Sequence, residues 1–354
     1  MRLLVVNAGS SSLKLQVLGP DDKVVDEVHV EGWDGEGTGP LRDLAAEAGA
    51  GAVDAVGHRV VHGGRDLVTA RRVDDGVVEQ IAALTPLAPL HQERSLAGIR
   101  AARAALPDVP HVACFDTAYH ASLPEAAATY ALPAVWRLRW PVRRYGFHGL
   151  SHAYAARRAT AMVPGAERIV TCHLGAGASL CASLAGRSVD TTMGFTPLEG
   201  LVMATRSGTV DPGLVLWLVT DAGLTPEAVR DGLEHHSGLL GLSGTADMRD
   251  VVAEKGLGFD VYVHSVARHA AGMVAALGGL DALVFTGGVG ENAPAVRAAV
   301  ADRLAFLGAT VDPEVNDTAT PDALVSPPDN PVAVLALTAR EDLEIARQLR
   351  DLLA

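Results

Sequence analysis

Long apolar runs are missing from this sequence of 354 residues. No stretch reaches the roughly 18 apolar residues that a membrane-spanning helix needs. The apolar opening LLVV is interrupted by Asn7 and is too short for the hydrophobic core of a signal peptide. These absences argue against a membrane partner, and we expect a cytoplasmic, globular protein.

Cysteine is also rare. Cys114, Cys172 and Cys181 lie in apolar, strand-like stretches and show no CxxC spacing. That distribution is typical neither of a disulfide framework nor of a thiolate zinc site. We expect three buried, reduced thiols.

Positive charge is sparse and nowhere concentrated. Only three lysines occur, Lys14, Lys23 and Lys255, and the formal net charge is −13. Without a basic run, most of the surface would repel a polyanion, which argues against a nucleic-acid partner. The pattern GxxxxGK[ST] is absent as well, and this excludes a P-loop nucleotide site.

The sequence does contain enough apolar material for large cores, with 49% hydrophobic and 20% charged residues. A single core seldom grows beyond roughly 250–300 residues, so we expect two domains. Strand-like runs such as DAVGHRVVHGG and HVACFDTAYH alternate with helical patterns, which predicts an α/β fold with mixed sheets. The glycine-rich, acidic residues 31–43 are predicted to form a loop.

The opening stretch VVNAGSSSLKLQVL predicts two strands joined by a tight turn of small polar residues. A second stretch, IVTCHLGAGASLCASLAGRSVD, has the same form. Aligning the two sets Asn7 on His173 and Gly9 on Gly175 without a gap. Two such turns indicate a duplicated fold in which each domain begins with a phosphate-binding turn and nucleotide occupies the cleft between the domains.

The last third of the sequence predicts a further series of elements. Helices are expected over DPGLVLWLVTDAG, FDVYVHSVARHAAGMVAAL and AREDLEIARQLRDLLA, and a strand over PVAVLAL. In DALVFTGGVGENAPAVRAAVADRL we expect a strand, a glycine-rich turn and a helix. Gly287, Gly288 and Gly290 would allow a ligand close to the backbone there, with a plain tight turn as the alternative.

Eleven short motifs, in order and spread over nearly the whole chain, together resemble the acetate kinase family, which lies in the actin, sugar kinase and Hsp70 superfamily. These motifs are NAGSSSLK, GHRVVHGG, LAPLH, FDTAYH, RYGFHGLSH, HLGAGAS, DTTMGFTPLEGL, ATRSGTVDPG, SGLLGLSGTADMRD, FTGGVGENA and AREDLEIA.

The resemblance implies two duplicated ribonuclease-H-like domains with mixed β-sheets and an interdomain active-site cleft. Residues 1–147 plus 339–354 would form the first domain, to which the last helix returns, and residues 148–338 the nucleotide-binding domain. The implied reaction is reversible transfer of the ATP γ-phosphoryl group to acetate with Mg²⁺, or alternatively Mn²⁺. A homodimer is implied by the resemblance alone.

The chemistry of that reaction explains which residue types are needed. A short carboxylate is already ionised at pH 7, so no general base is required. The difficulty lies in bringing two anions together, which calls for arginines, a metal ion and neutral donors. Arg59 and Arg206 resemble the family's anion-binding arginines, although a lone arginine is more often part of a surface ion pair.

Four further residues resemble the family's catalytic and metal-binding side chains. Asp116 would orient the reactants, unless it is only a cap or turn residue. His148 would hydrogen-bond the phosphoryl oxygens; a zinc site is disfavoured because HExxH is absent. Asn7 and Glu341 would associate with the metal, and Glu341 also suits the start of a helix electrostatically.

The resemblance also assigns two binding surfaces. The acetate pocket would be lined by Arg59, Val61, Leu90, Phe147 and Pro197. The residues expected around ATP and its phosphates are Ser10, Ser12, Lys14, His173, Gly175, Gly177, Gly287, Gly288, Gly290 and Asn292. His91 is also expected near the phosphates, with a structural histidine as the alternative.

Four departures from the family pattern stand out. Ala176 occupies the place of a usual Asn, and Thr209 that of an Asp. Ala339 and Arg340 replace Thr-Asn, and LHQERS lacks the usual Asn-Pro. The alternatives are a propionate or other short-chain carboxylate kinase, or a non-catalytic nucleotide-binding sensor with this fold.

Overall fold

The computed structural model describes residues 1–9, 12–33, 39, 41, 43 and 53–354, apart from the side chain of Leu90. The chain divides into two compact units. Unit 1 comprises Met1–Ala121, Phe147–Tyr154 and Arg340–Ala354. Unit 2 comprises Ser122–Gly146 and Ala155–Ala339.

The described strands form one six-stranded sheet in each unit. Those of unit 1 are β1 Leu3–Ala8, β2 Ser12–Leu18, β3 Val24–Glu31, β4 Ala55–Val60, β5 Arg71–Arg72 and β6 His111–Phe115. Those of unit 2 are β7 Arg168–Leu174, β8 Ala178–Leu184, β9 Arg187–Thr191, β10 Ala282–Thr286, β11 Ala323–Leu324 and β12 Ala333–Ala336.

The two sheets have the same topology. The strand order is β3-β2-β1-β4-β6-β5 in unit 1 and β9-β8-β7-β10-β12-β11 in unit 2. In each sheet the three central strands, β1-β4-β6 or β7-β10-β12, are parallel, and the remaining pairs are antiparallel. The predicted class, a duplicated α/β fold with mixed sheets, is therefore confirmed.

Fourteen α-helices lie in the described part of the chain. They are α1 Asp75–Ala83, α2 Pro89–Ala105, α3 Glu125–Ala128, α4 Ala134–Arg139, α5 Gly149–Met162, α6 Pro212–Thr220, α7 Pro226–His235, α8 Gly238–Ser243, α9 Met248–Glu254, α10 Leu257–Leu277, α11 Gly287–Asn292, α12 Pro294–Arg303, α13 Pro313–Thr318 and α14 Glu341–Leu353. None is both long enough and apolar enough to cross a bilayer.

The sheet of unit 1 has a helix packed on each face, because apolar residues point alternately to the two sides of its strands. Leu4 and Val6 of β1 join the core on the α2 side. Leu3 and Val5 join the other core, which includes Ile345 and Leu349 of α14. The C-terminal helix is thus part of unit 1.

The sequence predicts that residues 122–146 belong to the first domain. In the structure this segment belongs to unit 2. Ser122 Oγ donates a hydrogen bond to Ser188 O (2.9 Å), and Arg144 Nη1 donates to Thr192 O (3.0 Å). The first residues of α5, by contrast, belong to unit 1. Helical periodicity carries no information about which domain a connecting segment will contact.

The glycine-rich turn predicted after β10 is instead the six-residue helix α11. Gly287 begins this helix with a φ of 77°, which favours glycine. A Cβ there would also lie 2.8 Å from the carbonyl oxygen of Leu174. A helix starts immediately after the strand only because Gly287 permits that approach. Most of the loop predicted over residues 31–43 lies outside the described residues, and Glu31 ends β3.

All three cysteines are buried free thiols, as predicted. Burial raises the pKa of each one, and that of Cys181 to about 12. These thiols are therefore protonated and unreactive at neutral pH.

Gly57 tests the packing of α14 on the sheet. A Cβ at Gly57 would lie 2.5 Å from Ile345 Cγ2 and 3.1 Å from Leu349 Cδ1. We expect Gly57→Val to lower the free energy of unfolding by about 1–3 kcal/mol through overpacking, measured by urea denaturation.

The matched control is Gly272→Ala in α10, where an added Cβ meets no atom of the described residues within 4 Å. This change should raise stability by about 0.5–1 kcal/mol, because alanine favours a helix interior. A Gly57→Val protein as stable as its parent would contradict the packing of α14 against β4.

Candidate active site

Three polar side chains follow apolar residues at the carboxyl ends of the parallel strands of unit 1. Asn7 follows Leu3 and Val5 with a period of two, and Arg59 follows Gly57 in the same way. Asp116 likewise follows Cys114 just after β6 ends. Their apolar partners face α14, so the period of two directs all three polar side chains to the same face of the sheet.

Arg59 is the centre of this group. Its Nε donates to Asp116 Oδ1 (3.1 Å) and its Nη2 to Asp116 Oδ2 (2.7 Å), which is a two-pronged contact. Its Nη1 lies 3.3 Å from Glu341 Oε2 and 3.5 Å from Asn7 Oδ1. The structure thus brings four of the predicted site residues, Asn7, Arg59, Asp116 and Glu341, together in unit 1.

The charges of this group are mostly buried. Asp116 is 1% exposed, and Arg59 is 19% exposed. Burial opposes the positive charge of Arg59, but the carboxylates of Asp116 and Glu341 outweigh that effect and raise the guanidinium's pKa. One cation therefore faces two carboxylates, so the group carries a net negative charge that favours a further cation.

His148 is tied to this group through the backbone. It adopts a φ of 56°, which non-glycine residues rarely do and which is enriched at functional sites. The next residue, Gly149, donates from its N–H to Asp116 O (2.9 Å). A Cβ at Gly149 would overlap that carbonyl, so only glycine allows α5 to begin this close to Asp116.

Two of the residues expected in the acetate pocket, Val61 and Phe147, belong to unit 1. Val61 directly follows β4 and is half-buried. Phe147 is 1% exposed and packs edge-on against His62, with 5.6 Å between ring centroids. Leu90 lies in the first turn of α2, but its side chain is outside the described residues.

The predicted phosphate turn of unit 1 is described in part. Ser10 lies outside the described residues, whereas the Gly9 N–H donates to Ser12 O across the turn (2.8 Å). Lys14 pairs with Asn7 in the β1–β2 register, and its Nζ lies 3.8 Å from Glu27 Oε2. Ser12 and Lys14 alternate with buried leucines and therefore lie on the same face of β2.

Unit 2 has the equivalent turn, between β7 and β8. The Gly175 N–H donates to Gly177 O (3.0 Å), and His173 lies one residue before the end of β7. Both turns join their strands through three residues, so the alignment made from the sequence agrees with the strand boundaries.

This turn borders a cavity of about 940 Å³ within unit 2. Of the residues predicted for nucleotide binding, Gly175, Gly288 and Asn292 line the cavity. Asn292 Nδ2 donates to Gly288 O (2.9 Å) and so fixes one wall. Gly177, Gly287 and Gly290 are not part of the wall; they belong to the same turn and helix.

Sequence reasoning named no individual residue from the motif SGLLGLSGTADMRD. Asp247, Met248 and Arg249, from its end, form another wall of the cavity. Asp247 caps α9 by accepting from the Arg249 N–H (2.9 Å) and pairs with the Arg249 guanidinium. The sequence feature that could have identified this wall is Asp247, an aspartate placed to cap the start of a helix.

Arg206, in unit 2, forms no ion pair in the part of the chain that the structure describes. Its Nη1 donates to Pro197 O (3.2 Å) and contacts Met203 Sδ (3.7 Å). Burial lowers the pKa of Arg206, although Glu234 partly offsets this. A half-buried guanidinium that forms no ion pair with a described carboxylate has donors available for an anion.

The departures from the family pattern have local partners. The Thr209 hydroxyl accepts from the Gly200 N–H (3.1 Å), and Ala176 O accepts from the Ala204 N–H (3.1 Å). Arg340 forms a two-pronged pair with Asp342 (2.8 and 3.0 Å) and so directs its charge away from the neighbouring Glu341. Among the described residues, no group of three or more His, Cys, Asp and Glu side chains could hold a metal ion.

Comparison with known proteins gives a consistent result. The model of the Acetokinase family matches residues 41–347. The chain is 41% identical to the acetate kinase of Thermosipho africanus, covering 100% of this chain and 98% of that protein. It is 45% identical to the acetate kinase of Leifsonia xyli subsp. xyli, with coverages of 98% and 97%.

Solved structures agree with this result. The acetate kinase of Porphyromonas gingivalis matches with a TM-score of 0.91 at 33% identity, over the whole of both chains. A propionate kinase from Francisella tularensis matches with the same score and identity over 98% of each chain. By the family match, by identity over its full length and by fold, the chain belongs to the acetokinase family.

Proposed function

We propose that this protein catalyses the reversible phosphorylation of acetate by ATP, giving acetyl phosphate and ADP. The observation that carries the proposal is Arg206, a half-buried guanidinium that forms no ion pair with a described carboxylate, although the charge of Glu234 acts on it. A protein that only binds a nucleotide in the cavity of unit 2 has no need for such a cation. A kinase that must bring two anions together does.

The reaction is a direct in-line transfer. The ionised acetate oxygen attacks the γ-phosphorus, and the bond between that phosphorus and the ADP oxygen breaks. Because acetate is already deprotonated at neutral pH, no side chain has to remove a proton. Catalysis therefore consists of orientation and charge stabilisation, as in other phosphoryl transfers.

Unit 1 supplies the acceptor residues in this proposal. Arg59 would bind the acetate carboxylate, and Val61, Leu90, Phe147 and Pro197 would contact the methyl group. Asp116 holds the Arg59 guanidinium in a fixed orientation through its two-pronged contact. His148 donates a hydrogen bond to the phosphoryl oxygens while their charge develops.

Unit 2 supplies the nucleotide residues. Its cavity of about 940 Å³ is large enough for a nucleoside, because ligand pockets usually measure about 300–1,000 Å³. Gly288 and Asn292 would contact the adenosine, and the backbone N–H groups near Gly175 and Gly177, together with His173, would bind phosphate oxygens. Ser10, Ser12 and Lys14 of unit 1 would act on the outer phosphates, and Arg206 on the transferred group.

A magnesium ion fits the residues of unit 1. The oxygens of Asn7 and Glu341 contact the same nitrogen of Arg59, so an amide oxygen and a carboxylate are close together within a group whose net charge is negative. Mg²⁺ prefers such oxygens and retains several waters and phosphates. When bound, it would neutralise charge on the phosphates; Mn²⁺ has the same ligand preference.

Acetate is the preferred acid, and propionate is the second candidate. A β-branched valine at position 61 leaves little space beside the methyl group. One extra methylene changes binding by only about 1–3 kcal/mol, so a pocket of this kind also accepts propionate more weakly. The close match to a propionate kinase favours this second candidate over other acids.

We also propose that the protein acts as a homodimer in the cytoplasm. Helix α6, with the sequence PGLVLWLVT, is apolar throughout, yet none of its residues is buried. Leu214, Leu216 and Trp217 are 47%, 65% and 54% exposed. Such a helix needs a partner surface, and a second copy would bury it.

The test of the proposed function is product formation. Purified protein with acetate, ATP and Mg²⁺ should yield an acyl phosphate that hydroxylamine traps as a hydroxamate. Omitting either acetate or the metal should abolish the signal. If no acid of two to four carbons gives a hydroxamate, while ATP still binds, the protein is a nucleotide sensor instead.

Within this assay, Arg206→Ala should lower kcat by about 100-fold or more, because the cation stabilises charge that develops during transfer. The dissociation constant for ATP should change much less. Arg187→Ala, which removes an exposed arginine of the same unit, should have wild-type kinetics. An equal loss of ATP binding and kcat in Arg206→Ala would contradict the assigned role.

The metal site predicts a specific phenotype for Glu341→Gln. Removing this carboxylate should weaken the apparent affinity for Mg²⁺ by about 10-fold or more, seen as a higher magnesium concentration for half-maximal rate. Asp351→Asn removes an equal charge from an exposed position on the same helix and should leave the magnesium dependence unchanged. Identical magnesium curves for the two variants would refute the assignment.

The proposed dimer predicts that Trp217→Lys yields monomers, because a lysine cannot be buried there without a partner charge. Molar mass from size-exclusion chromatography with light scattering measures this. Phe306→Lys changes an isolated aromatic residue that is 76% exposed and should leave the mass unchanged. A wild-type protein that is monomeric at micromolar concentration would contradict the proposal.

A further inference from the structure

Pro197, the residue of unit 2 proposed to contact acetate, lies in a short irregular segment, residues 192–199. The Pro197 carbonyl oxygen accepts the hydrogen bond from Arg206 Nη1 (3.2 Å). The segment directly follows β9 and is itself part of no helix or strand. Because the segment is neither helix nor strand, side-chain contacts, including those of its own Glu199, help to fix where Pro197 and the Arg206 guanidinium lie.

Tyr130 holds the middle of this segment. Its hydroxyl accepts from the Phe195 N–H (2.9 Å) and donates to Glu199 Oε2 in a short hydrogen bond. A phenolic oxygen can donate one hydrogen bond and accept another at the same time. Tyr130 thereby links two points of the segment that are four residues apart, on either side of Pro197.

Arg144 holds the same segment at its other end. It donates to Thr192 O (3.0 Å) and Met193 O (3.1 Å), and its Nη2 pairs with Glu199 Oε1 (2.7 Å). Its guanidinium also lies over the ring of Tyr130, 5.5 Å from the centroid. The three side chains Tyr130, Arg144 and Glu199, which we call the clamp, thus form one connected network.

The close fit around Gly194 shows how tightly the clamp encloses the segment. A Cβ at Gly194 would overlap both Glu199 Oε2 and the Tyr130 hydroxyl. The Gly194 carbonyl accepts from the Tyr145 N–H (3.0 Å), so the backbone is fixed on that side too. Burial, together with Glu199, raises the pKa of Tyr130, so its hydroxyl stays protonated and keeps donating at neutral pH.

We propose that Tyr130 is a positioning residue for the acetate kinase reaction: through Glu199 and Phe195 it sets the position of Pro197, and through the Pro197 carbonyl that of Arg206. It thereby controls both the transfer rate and the size of acid that is accepted. This inference rests on the function proposed above. Tyr130 itself touches neither reactant in the proposal.

The physical reason for a large effect is geometric. Without the hydroxyl, the Phe195 N–H loses its acceptor and one oxygen of Glu199 loses its donor, both in a half-buried place. The segment would then relax toward other partners and carry Pro197 with it. A displacement of about 1 Å at a reacting group can cost 100-fold in rate.

The experiment compares Tyr130→Phe with the wild type for acetate and propionate. We expect kcat/KM for acetate to fall about 10- to 100-fold and the preference for acetate over propionate to narrow several-fold. The KM for ATP should stay within about twofold, because the nucleotide cavity is lined by other residues.

The matched control is Tyr262→Phe in α10. The Tyr262 hydroxyl is also buried in unit 2, but it has no hydrogen-bond partner among the residues that the structure describes. Removing it should leave rate and selectivity unchanged. A second variant, Glu199→Gln, tests the connection: if Tyr130 acts through Glu199, the double variant should lose no more rate than the worse single variant.

The outcomes separate the inference from the proposed function. If the wild type forms no acyl phosphate, the proposed function fails and this inference falls with it. If the wild type is active but Tyr130→Phe keeps its acetate preference, the positioning role is wrong. A lower melting temperature with unchanged selectivity, or additive losses in the double variant, would likewise reduce Tyr130 to a structural residue.

Discussion

The ion pair between Arg59 and Asp116 is the interaction on which the site of unit 1 depends. Two buried charges are costly unless their geometry is good, and here three nitrogen–oxygen contacts of 2.7–3.2 Å satisfy both groups. Breaking such a pair leaves an uncompensated buried charge. Because Glu341 and Asn7 contact the same guanidinium, the orientation of Arg59 also orders the residues proposed to hold the metal.

The duplicated sheet gives each unit the same β-turn-β element, which we propose binds phosphate. In both units a β-turn-β element with a three-residue connection stands beside the carboxyl ends of parallel strands, where ligands of α/β proteins usually bind. The two copies have diverged in their side chains. Unit 1 presents a buried, charged group around Arg59. Unit 2 presents small residues that line a cavity, and Arg206, which forms no ion pair with a described residue.

The fold class and the polar group of unit 1 could be predicted from the sequence, because period-two patterns determine which side chains share a face of a sheet. Asn7 and Asp116 each end an apolar run, and Arg59 lies near the end of the strand between theirs, so their convergence follows from strand pairing. The helix that begins at Gly287 could not be predicted, because a glycine-rich run indicates only a flexible backbone and does not distinguish a turn from a helix. Tyr130 and Glu199 are 69 residues apart, and nothing local reveals their contact. The attachment of residues 122–146 to unit 2 depends on the same kind of long-range bond.

A double-mutant cycle between Arg59 and Asp116 tests the central interaction most directly. The free energy of unfolding would be measured for Arg59→Ala, Asp116→Ala and the double variant, with the exposed pair Arg347 and Asp351 as reference. We predict a coupling energy of at least about 2 kcal/mol for the buried pair, because each single change leaves the partner's charge buried and unpaired. Changes that add to within about 0.5 kcal/mol would contradict the central role of this ion pair.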